Sequence, residues 1–416
     1  IVPDIAKAYY LLWLKYSMTK VVHDVLILGA GVVGLSTGIG LLESKPSLKV
    51  LVLDKERSLG AHASGRNSGV LHAGFYYSPD SLKARFCKEG NFELKKLCAD
   101  YEIPVLNCGK VVVTQDDSEE TRLDDLFVRG VINGVELEIL DKSKLVNFEP
   151  LAKTHSRFLW SPTTSVSSPE HVIKSMADKF LRLGGKLKLG EKIHLDSNGS
   201  EVVSNFKFKR IVNCGGAQAD RIARKLGEAS EYAMLPFMGT YRLTSHSNLP
   251  MKTLVYPVPH PINPFLGVHF TLTLDGKVKI GPTAIPIAGR EQYSIKSGWS
   301  LSDLGQATRG AFALAIRDSH DLSEIVKNEW PKLFKRNLVR EGSKLVPNAS
   351  KVFNWSYKPP GIRAQLVNLK TGRLEQDFVI RQHLNATHIL NTVSPGWTSS
   401  IPFGRYVAER YILPEM

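Results

Sequence analysis

Residues 24–34, which read Asp24-Val25-Leu26-Ile27-Leu28-Gly29-Ala30-Gly31-Val32-Val33-Gly34, decide the fold of this chain. The first five form an almost uninterrupted apolar run that is typical of a buried parallel strand, and the glycines after it have the G-x-G-x-x-G spacing. Gly29 permits a tight turn, Gly31 lets the backbone approach a pyrophosphate, and Gly34 lets the next helix lie close to the strand. We expect that helix to reach about Ser44, with its first amides directed at phosphate charges. The segment predicts a dinucleotide site.

A second apolar strand is predicted over residues 49–53, and an acidic residue ends it. Asp54 lies about 20 residues past the glycines, where a ribose-binding acid stands in dinucleotide sites. A carboxylate there can accept hydrogen bonds from both ribose hydroxyls, and it would repel a 2′-phosphate. We expect Lys55, the next residue, to contact the cofactor as well.

Residues 64–74 concentrate small residues, hydrogen-bond donors and one histidine in eleven positions. Such a segment can press its backbone flat against a ring system, and the aromatic residues 75–77 can close a pocket beside it. An ordinary surface loop rich in turn-forming residues is the alternative. The nearby ribose acid favours the first interpretation.

Composition indicates an enzyme with a large core. A chain of 416 residues, 43% of them hydrophobic, should divide into two domains, because single cores stop growing near 250 to 300 residues. The formal charge of +14 favours an anionic substrate or an acidic membrane surface. Nucleic acid is not expected, since the basic residues are scattered and are not gathered with aromatics. The four cysteines show no metal-binding spacing, so we expect reduced thiols.

The first 20 residues are predicted to form an extension outside the fold. Met18 stands just before the first strand, so we expect residues 1–17 to lie upstream of the natural reading frame. The apolar clump at residues 9–14 is too short to span a bilayer. An interfacial anchor and a degraded targeting signal both remain open.

The loop at residues 64–74 resembles the flavin-facing segment of the D-amino-acid-oxidase-like superfamily of FAD enzymes. Within that superfamily, residues 67–77 resemble the L-2-hydroxyglutarate dehydrogenase family in particular. Further matching segments follow in the family's order at residues 81–87, 254–259, 266–271, 279–282, 361–363, 377–380 and 394–400. The resemblance covers nearly everything from Val22 to the C-terminus.

The resemblance implies an α/β fold whose Rossmann-like, glutathione-reductase-like FAD-binding domain is assembled from separated segments. An inserted α+β domain with an antiparallel sheet would bind substrate. The expected FAD-binding segments are residues 21–104, 166–231 and 350–416, and the expected substrate-binding segments are residues 105–165 and 232–349.

The implied reaction is FAD-dependent oxidation of L-2-hydroxyglutarate to 2-oxoglutarate, with electrons passed to a quinone, a flavoprotein or oxygen. Two alternatives stay open: oxidation of an amine, such as a D-amino acid or sarcosine, or of another 2-hydroxy acid, and a flavin- or NAD-binding protein without turnover. The expected location is the cytoplasm or the mitochondrial matrix. The basic charge leaves peripheral association with the inner membrane open.

Histidine is the expected base in this chemistry. Oxidation of a 2-hydroxy acid sends a hydride from C2 to flavin N5 and sends the hydroxyl proton to a base. We expect His72, in the flavin-facing loop, to be that base. His269 is the second candidate, because its strand faces the pocket in this family. Either histidine can also be a structural group.

Arginine can hold a substrate carboxylate through two parallel hydrogen bonds. Arg363 resembles the carboxylate-binding arginine of the superfamily, although Ala364 replaces the usual proline and loosens the turn. Arg66 is a second expected cation, at a position where family members carry histidine or arginine. We expect Tyr241 and Tyr256 to donate hydrogen bonds to the second carboxylate or to the ketone, with core packing as the alternative.

The C-terminal match predicts a second contact with the flavin. Gly396 is expected to open the last helix after Pro395, so that its amide dipole favours negative charge on the reduced flavin. No metal site is predicted. The full set of predicted cofactor contacts is Gly29, Gly31, Gly34, Asp54, Lys55, Ser64, Asn67, Ser68, Gly69, Gly215, Gly396, Thr398 and Ser399.

Overall fold

The structure is a computed structural model that describes residues 22–195, 202–203, 206–260, 266–294, 298–317 and 319–416. Its strands are β1 Val22–Leu28, β2 Val50–Asp54, β3 Val70–Leu71, β4 Val105–Leu106, β5 Lys110–Val113, β6 Glu138–Asp141, β7 Arg157–Ser161, β8 Ser165–Ser167, β9 Lys186–Leu189, β10 His194–Leu195, β11 Val202–Val203, β12 Lys207–Asn213, β13 Tyr232–Ser245, β14 Leu254–Pro257, β15 His269–Leu272, β16 Lys277–Gly281, β17 Ile285–Pro286, β18 Ser356–Asn368, β19 Arg373–Leu374, β20 Val379–His383 and β21 Ala386–Asn391. Its α-helices are α1 Val32–Ser44, α2 Leu82–Asp100, α3 Asp117–Ile132, α4 Leu145–Phe148, α5 Pro169–Arg182, α6 Ala219–Lys225, α7 Leu301–Arg317, α8 Ser319–Glu329, α9 Lys335–Gly342 and α10 Ser400–Val407.

A six-stranded sheet forms the nucleotide-binding half, in the order β20-β21-β12-β1-β2-β9. The pairs from β21 to β9 are parallel, and β20 is an antiparallel edge strand. β1 lies inside the sheet with most of its side chains buried, which explains its apolar sequence. The predicted β1–α1–β2 unit is confirmed. Its neighbours β9, β12 and β21 come from distant parts of the chain, so the sheet is assembled from separated segments.

Helices α1 and α10 pack against each other through glycines. A Cβ built on Gly404 would lie 2.4 Å from the Ser36 Cβ, and one built on Gly40 would lie 2.9 Å from the Arg405 Cα. The two helices also share one apolar cluster with α5 and β1, in which Phe180 and Phe403 are buried. Contact this close holds the C-terminal segment against the first nucleotide-binding turn.

A ten-stranded sheet forms the second half, with β19-β18-β13-β16-β15-β14-β5-β7-β6 in order and β17 paired to β13. All of its pairings are antiparallel except that between β14 and β5. The predicted antiparallel sheet is therefore present with one parallel pair. That pair joins strands from two distant segments, so no hairpin constrains their direction.

Strand β18 differs from the predicted division of the chain. Residues 350–416 were expected in the FAD-binding half, but β18 pairs with β13 in the large sheet, from Tyr232 opposite Asn368 to Leu243 opposite Ser356. The pairing is long-range, and the local sequence of β18 carries no signal for it. The change of sheet lies between β19 and β20.

The last helix begins later than expected. Gly396 lies in a turn, and α10 starts at Ser400. The Gly396 amide donates to the Val393 carbonyl at 3.1 Å, and the Ser399 amide donates to the Pro395 carbonyl at 2.9 Å, so tight turns occupy these residues. The prediction that Gly396 opens the helix was wrong.

Membrane association was left open by the sequence. The predicted extension at residues 1–20 lies outside the described residues. Among the residues that are described, no helix is both long and apolar enough to cross a bilayer.

The α1–α10 contact predicts a stability effect. Gly404→Ala adds a Cβ within 2.6 Å of the Thr37 amide nitrogen, so overpacking should cost about 1–3 kcal/mol of unfolding free energy and lower the urea midpoint. The matched control is Gly305→Ala on exposed α7, where a Cβ meets no atom within 4 Å. That change should leave the midpoint equal or higher, because alanine favours helix. Circular dichroism in urea measures both, and equal midpoints would contradict the close contact.

Candidate active site

A cavity of about 930 Å³ opens between the nucleotide-binding turn and the large sheet. This volume is in the range of small-molecule and cofactor sites, roughly 300–1,000 Å³. The structure brings most of the predicted site residues to its wall. Those lining it are Gly29, Gly31, Asp54, Lys55, Ser64, Arg66, Asn67, Ser68, His72, Gly215, Tyr241, Arg363, Gly396 and Thr398.

The turn between β1 and α1 has no room for side chains. Gly29 has a φ of +108°, and a Cβ there would lie 2.4 Å from the Cys214 carbonyl oxygen. A Cβ on Gly34 would lie 2.0 Å from the Gly29 carbonyl oxygen. The glycines thus let β1, α1 and the end of β12 meet closely. Their meeting point forms one end of the cavity.

Two side chains hold this turn in place. The Ala30 amide donates to Asp54 Oδ2 at 2.7 Å, and the Val32 amide donates to Ser64 Oγ at 3.1 Å. The N-terminus of α1 has no capping side chain of its own, since Gly31 is the N-cap. Gly31, Val32 and Ser64 line the cavity, so the start of α1 and this serine form a suitable cradle for a pyrophosphate.

The loop from Ser64 to Gly69 is fixed by its own hydrogen bonds. Asn67 Nδ2 donates to the Ser64 carbonyl at 2.9 Å, and the Gly69 amide donates to Asn67 Oδ1 at 2.8 Å. Lys279 Nζ, from the large sheet, donates to the Ser68 carbonyl at 2.6 Å. The loop is held as a wall between the two sheets.

His72 stands in the cavity wall as a neutral base. Its backbone amide donates to Thr398 Oγ1 at 3.2 Å, and its carbonyl accepts from Asn91 Nδ2 at 3.2 Å. Its Nδ1 is buried and has no hydrogen-bond partner among the described residues. Burial, and then the charges of Lys110 and Arg363, lower the pKa of His72 to about 3. At neutral pH the ring is uncharged and can accept a proton.

Arg363 places a positive charge beside the candidate histidines. It lies on β18 opposite Phe237 and lines the cavity with Tyr241. Its guanidinium contributes to the lowered pKa of both His72 and His269. An arginine charge in this position can bind a carboxylate next to a neutral base.

His269 and Tyr256 do not line the cavity. Their rings stack at 3.8 Å between centroids, and His269 Nδ1 donates to the Gly267 carbonyl at 2.9 Å. Burial lowers the pKa of His269 well below its usual value, and Arg363 and His72 add to this. His269 is therefore electrostatically coupled to the wall of the cavity without forming it.

Three of the predicted cofactor residues also lie off the wall. Gly34 packs against the Gly29 carbonyl, and Gly69, with a φ of +80°, packs against the Ser167 carbonyl. Ser399 is the N-cap of α10, and its buried Oγ has no hydrogen-bond partner in the described part of the chain. Gly34 and Gly69 thus shape the backbone, and contact with a cofactor stays a prediction for all three.

The predicted Lys55 and Arg66 engage other protein groups. Lys55 Nζ lies 3.0 Å from Glu291 Oε2 and 3.2 Å from His62 Nε2. The Arg66 guanidinium lies 4.1 Å from the Tyr293 ring centroid, and Arg66 Nε donates to the Ala61 carbonyl at 2.7 Å.

Glu56, His62 and Glu291 are close enough together to hold a metal ion. The Lys55 ammonium already lies among them, since it also contacts Glu56. A lysine charge therefore occupies the position that a metal ion would take.

Sequence reasoning missed three polar residues in or beside the large sheet. Lys110 is fully buried near His72, Lys279 holds the flavin-facing loop, and Tyr293 lines the cavity. Lys110 had a local signal, since it is the charged first residue of the otherwise apolar strand β5. The signal of Lys279 was weaker, because it resembles an ordinary alternating strand residue.

The model of the FAD dependent oxidoreductase family matches residues 24–410, which is most of the chain. This chain belongs to the FAD-dependent oxidoreductase family. FAD is its cofactor, and the turn described above fits it: any Cβ on Gly29 or Gly34 would collide with backbone, and the start of α1 with Ser64 would hold the pyrophosphate.

Curated relatives show which members of the family this chain is similar to. The L-2-hydroxyglutarate dehydrogenase of Salmonella houtenae is 34% identical over 93% of both chains. The mitochondrial L-2-hydroxyglutarate dehydrogenase of Caenorhabditis elegans is 33% identical over 96% of this chain and 95% of that protein. The resemblance to the L-2-hydroxyglutarate dehydrogenases is thereby confirmed.

Solved structures of the family share the fold. L-α-glycerophosphate oxidase from Mycoplasma pneumoniae with FAD bound has a TM-score of 0.71 at 21% identity, over 94% of both chains. Glycine oxidase from Geobacillus kaustophilus has a TM-score of 0.67 at 17% identity, over 93% of this chain and 94% of that chain. These likenesses confirm the predicted fold class.

Proposed function

We propose that this FAD-dependent oxidoreductase converts L-2-hydroxyglutarate to 2-oxoglutarate. The observation that carries the proposal is that neutral His72 and cationic Arg363 share the cavity of the nucleotide-binding turn. A 2-hydroxy acid needs a proton acceptor beside an anion-binding group, and this wall supplies both. The curated relatives named above act on the same substrate by name.

In this proposal Arg363 binds the carboxylate next to C2 and orients the substrate. His72 takes the proton of the C2 hydroxyl, so that its O–H bond breaks as the ketone forms. Bound FAD supplies the acceptor for the hydride of C2. Tyr241 and Arg66, which also line the cavity, are proposed contacts for the second carboxylate. Tyr256 and His269 support this arrangement from behind through their interaction with Arg363.

Anaerobic reduction of the bound flavin tests the substrate. Mixing with L-2-hydroxyglutarate should bleach the flavin absorbance much faster than mixing with D-2-hydroxyglutarate, L-lactate, sarcosine or D-alanine. L-Lactate lacks the second carboxylate, and sarcosine and D-alanine test the amine alternative. Equal rates for the two hydroxyglutarate isomers, or faster reduction by an amine, would reject the proposed substrate.

His72→Ala tests the base. Loss of a general base should lower the rate of flavin reduction by L-2-hydroxyglutarate about 10²-fold or more. FAD content should be unchanged, since it is the backbone of His72 that binds Thr398 and Asn91. His171→Ala is the control, because His171 is an exposed residue of α5. Stopped-flow absorbance measures the rates, and normal reduction in the His72 variant would return this residue to a structural role.

We also propose that the protein associates peripherally with a membrane surface through α7, with a quinone, a flavoprotein or oxygen as the electron acceptor. That helix buries Ala307 and Leu314 but exposes Phe312 by 68% and Ile316 by 64%. Exposed apolar side chains on one helix and a net charge of +14 suit an anionic lipid surface. A cytoplasmic or mitochondrial location stays part of this proposal.

Vesicle binding tests the surface on α7. The double variant Phe312→Ser and Ile316→Ser should bind anionic lipid vesicles about ten-fold or more weakly in a sedimentation assay, because two apolar side chains lose their burial. The matched control is Val128→Ser and Ile132→Ser on α3, where the side chains are 55% and 64% exposed. Equal binding by both double variants would reject α7 as the membrane contact.

A further inference from the structure

Lys110 is a buried amine that has no hydrogen-bonding partner within the described part of the chain. The side chain is fully buried at the start of β5, and Nζ has no acceptor among the described residues. Three aromatic rings surround it instead, with the Nζ 4.4 Å from the Phe75 centroid, 4.5 Å from that of Tyr76 and 4.8 Å from that of Tyr256. Ring faces stabilise an ammonium only in part, so burying the charged form of Lys110 in this site remains unfavourable.

Folding alone does not account for this lysine. The other residues of β5, Val111, Val112 and Val113, are buried valines, and a leucine or methionine would suit the same aromatic surroundings. Lysine is among the residues least often buried without an ionic partner. Its place behind the active-site wall points to a role in the reaction.

The groups around Lys110 leave His72 and His269 as the groups on which its charge acts, and of these two His72 lines the cavity. The described titratable groups near it are Cys87 on α2, His72 and Tyr76 after β3, Tyr256 on β14 and His269 on β15. None of them is a carboxylate. Burial keeps Cys87 and both tyrosines neutral by raising the pKa of each.

The charge of Lys110 acts on the two histidines. It lowers the pKa of His72 and of His269. Burial lowers the pKa of Lys110 itself to about 7. This amine therefore changes its charge in a pH range where His72 stays neutral.

We propose that Lys110 is a positioning residue that sets how readily His72 accepts the substrate's hydroxyl proton. The inference rests on the proposed function. When Lys110 is neutral, His72 is the stronger base, and the O–H bond of the substrate breaks as the N–H bond of His72 forms. The hydride of C2 leaves with its electron pair to the oxidised cofactor. When Lys110 is charged, its repulsion opposes the imidazolium, and proton transfer is slower.

Two substitutions separate charge from packing. Lys110→Arg keeps a cation that cannot lose its proton, and Lys110→Met keeps an unbranched side chain without charge. The measured quantity is the rate constant of flavin reduction at saturating substrate, from pH 5.5 to 9, which reports groups of the enzyme–substrate complex. In the natural protein this rate constant should rise about three- to ten-fold as the pH rises through 7. Lys110→Met should lack this rise and stay high, and Lys110→Arg should lack it and stay low.

Lys279→Met is the matched control for the pH rise. Lys279 is also buried with a pKa lowered to about 7, but its ammonium donates to the Ser68 carbonyl and does not act on the pKa of His72. The rise through pH 7 should persist in this variant. Its loss there, or equal rate constants in the two Lys110 variants, would overturn the proposal. FAD content is measured first, and if Lys110→Met does not fold, the profile of Lys110→Arg decides.

Product binding gives an equilibrium readout without turnover. A charged Lys110 attracts a dianion, so the dissociation constant of 2-oxoglutarate should rise as the pH rises through 7 in the natural protein, and it should not do so in Lys110→Met. Persistence of that slope in Lys110→Met would assign the titration to another group and overturn the proposal. Failure of the proposed function is distinct, because the natural protein would then not be reduced by L-2-hydroxyglutarate at any pH.

Discussion

The contact between the β1–α1 turn and the end of β12 is the constraint on which the rest of the structure depends. Gly29 and Gly34 allow backbone to meet backbone there, at distances that any Cβ would prevent. This contact lies where β1 and β12 of the six-stranded sheet end, and it places the start of α1 in the cavity wall. Asp54 and Ser64 then fix the turn through its amides.

The active site arises because the large sheet faces this turn with polar side chains. Arg363 and Tyr241 come from two paired strands of that sheet. His72 directly follows β3, which belongs to a separate three-stranded sheet. Removal of these groups from water keeps His72 neutral, and the nearby charges of Arg363 and Lys110 reinforce that state. Burial and positive charge thus act together: the same wall that can attract an anion also keeps the imidazole of His72 unprotonated.

Local sequence predicted the parts of the fold that local forces determine. The β1–α1–β2 unit, with its glycines, apolar strand and closing acid, could be recognised from neighbouring residues. The pairing of β18 with β13 could not, because it joins segments more than 100 residues apart. The surroundings of Lys110 were hidden for the same reason, since their rings come from the loop after β3 and from β14. The resemblance to a family identified Arg363, but only the fold shows which charges act on His72.

The order of the segments along the chain has a consequence for biogenesis. Strand β21 completes the parallel part of the six-stranded sheet, and Thr398 accepts a hydrogen bond from the backbone amide of His72. More than 350 residues separate Thr398 from the glycine turn at Gly29. A nascent chain can therefore form the β1–α1–β2 unit long before the residues that complete the flavin pocket have been synthesised.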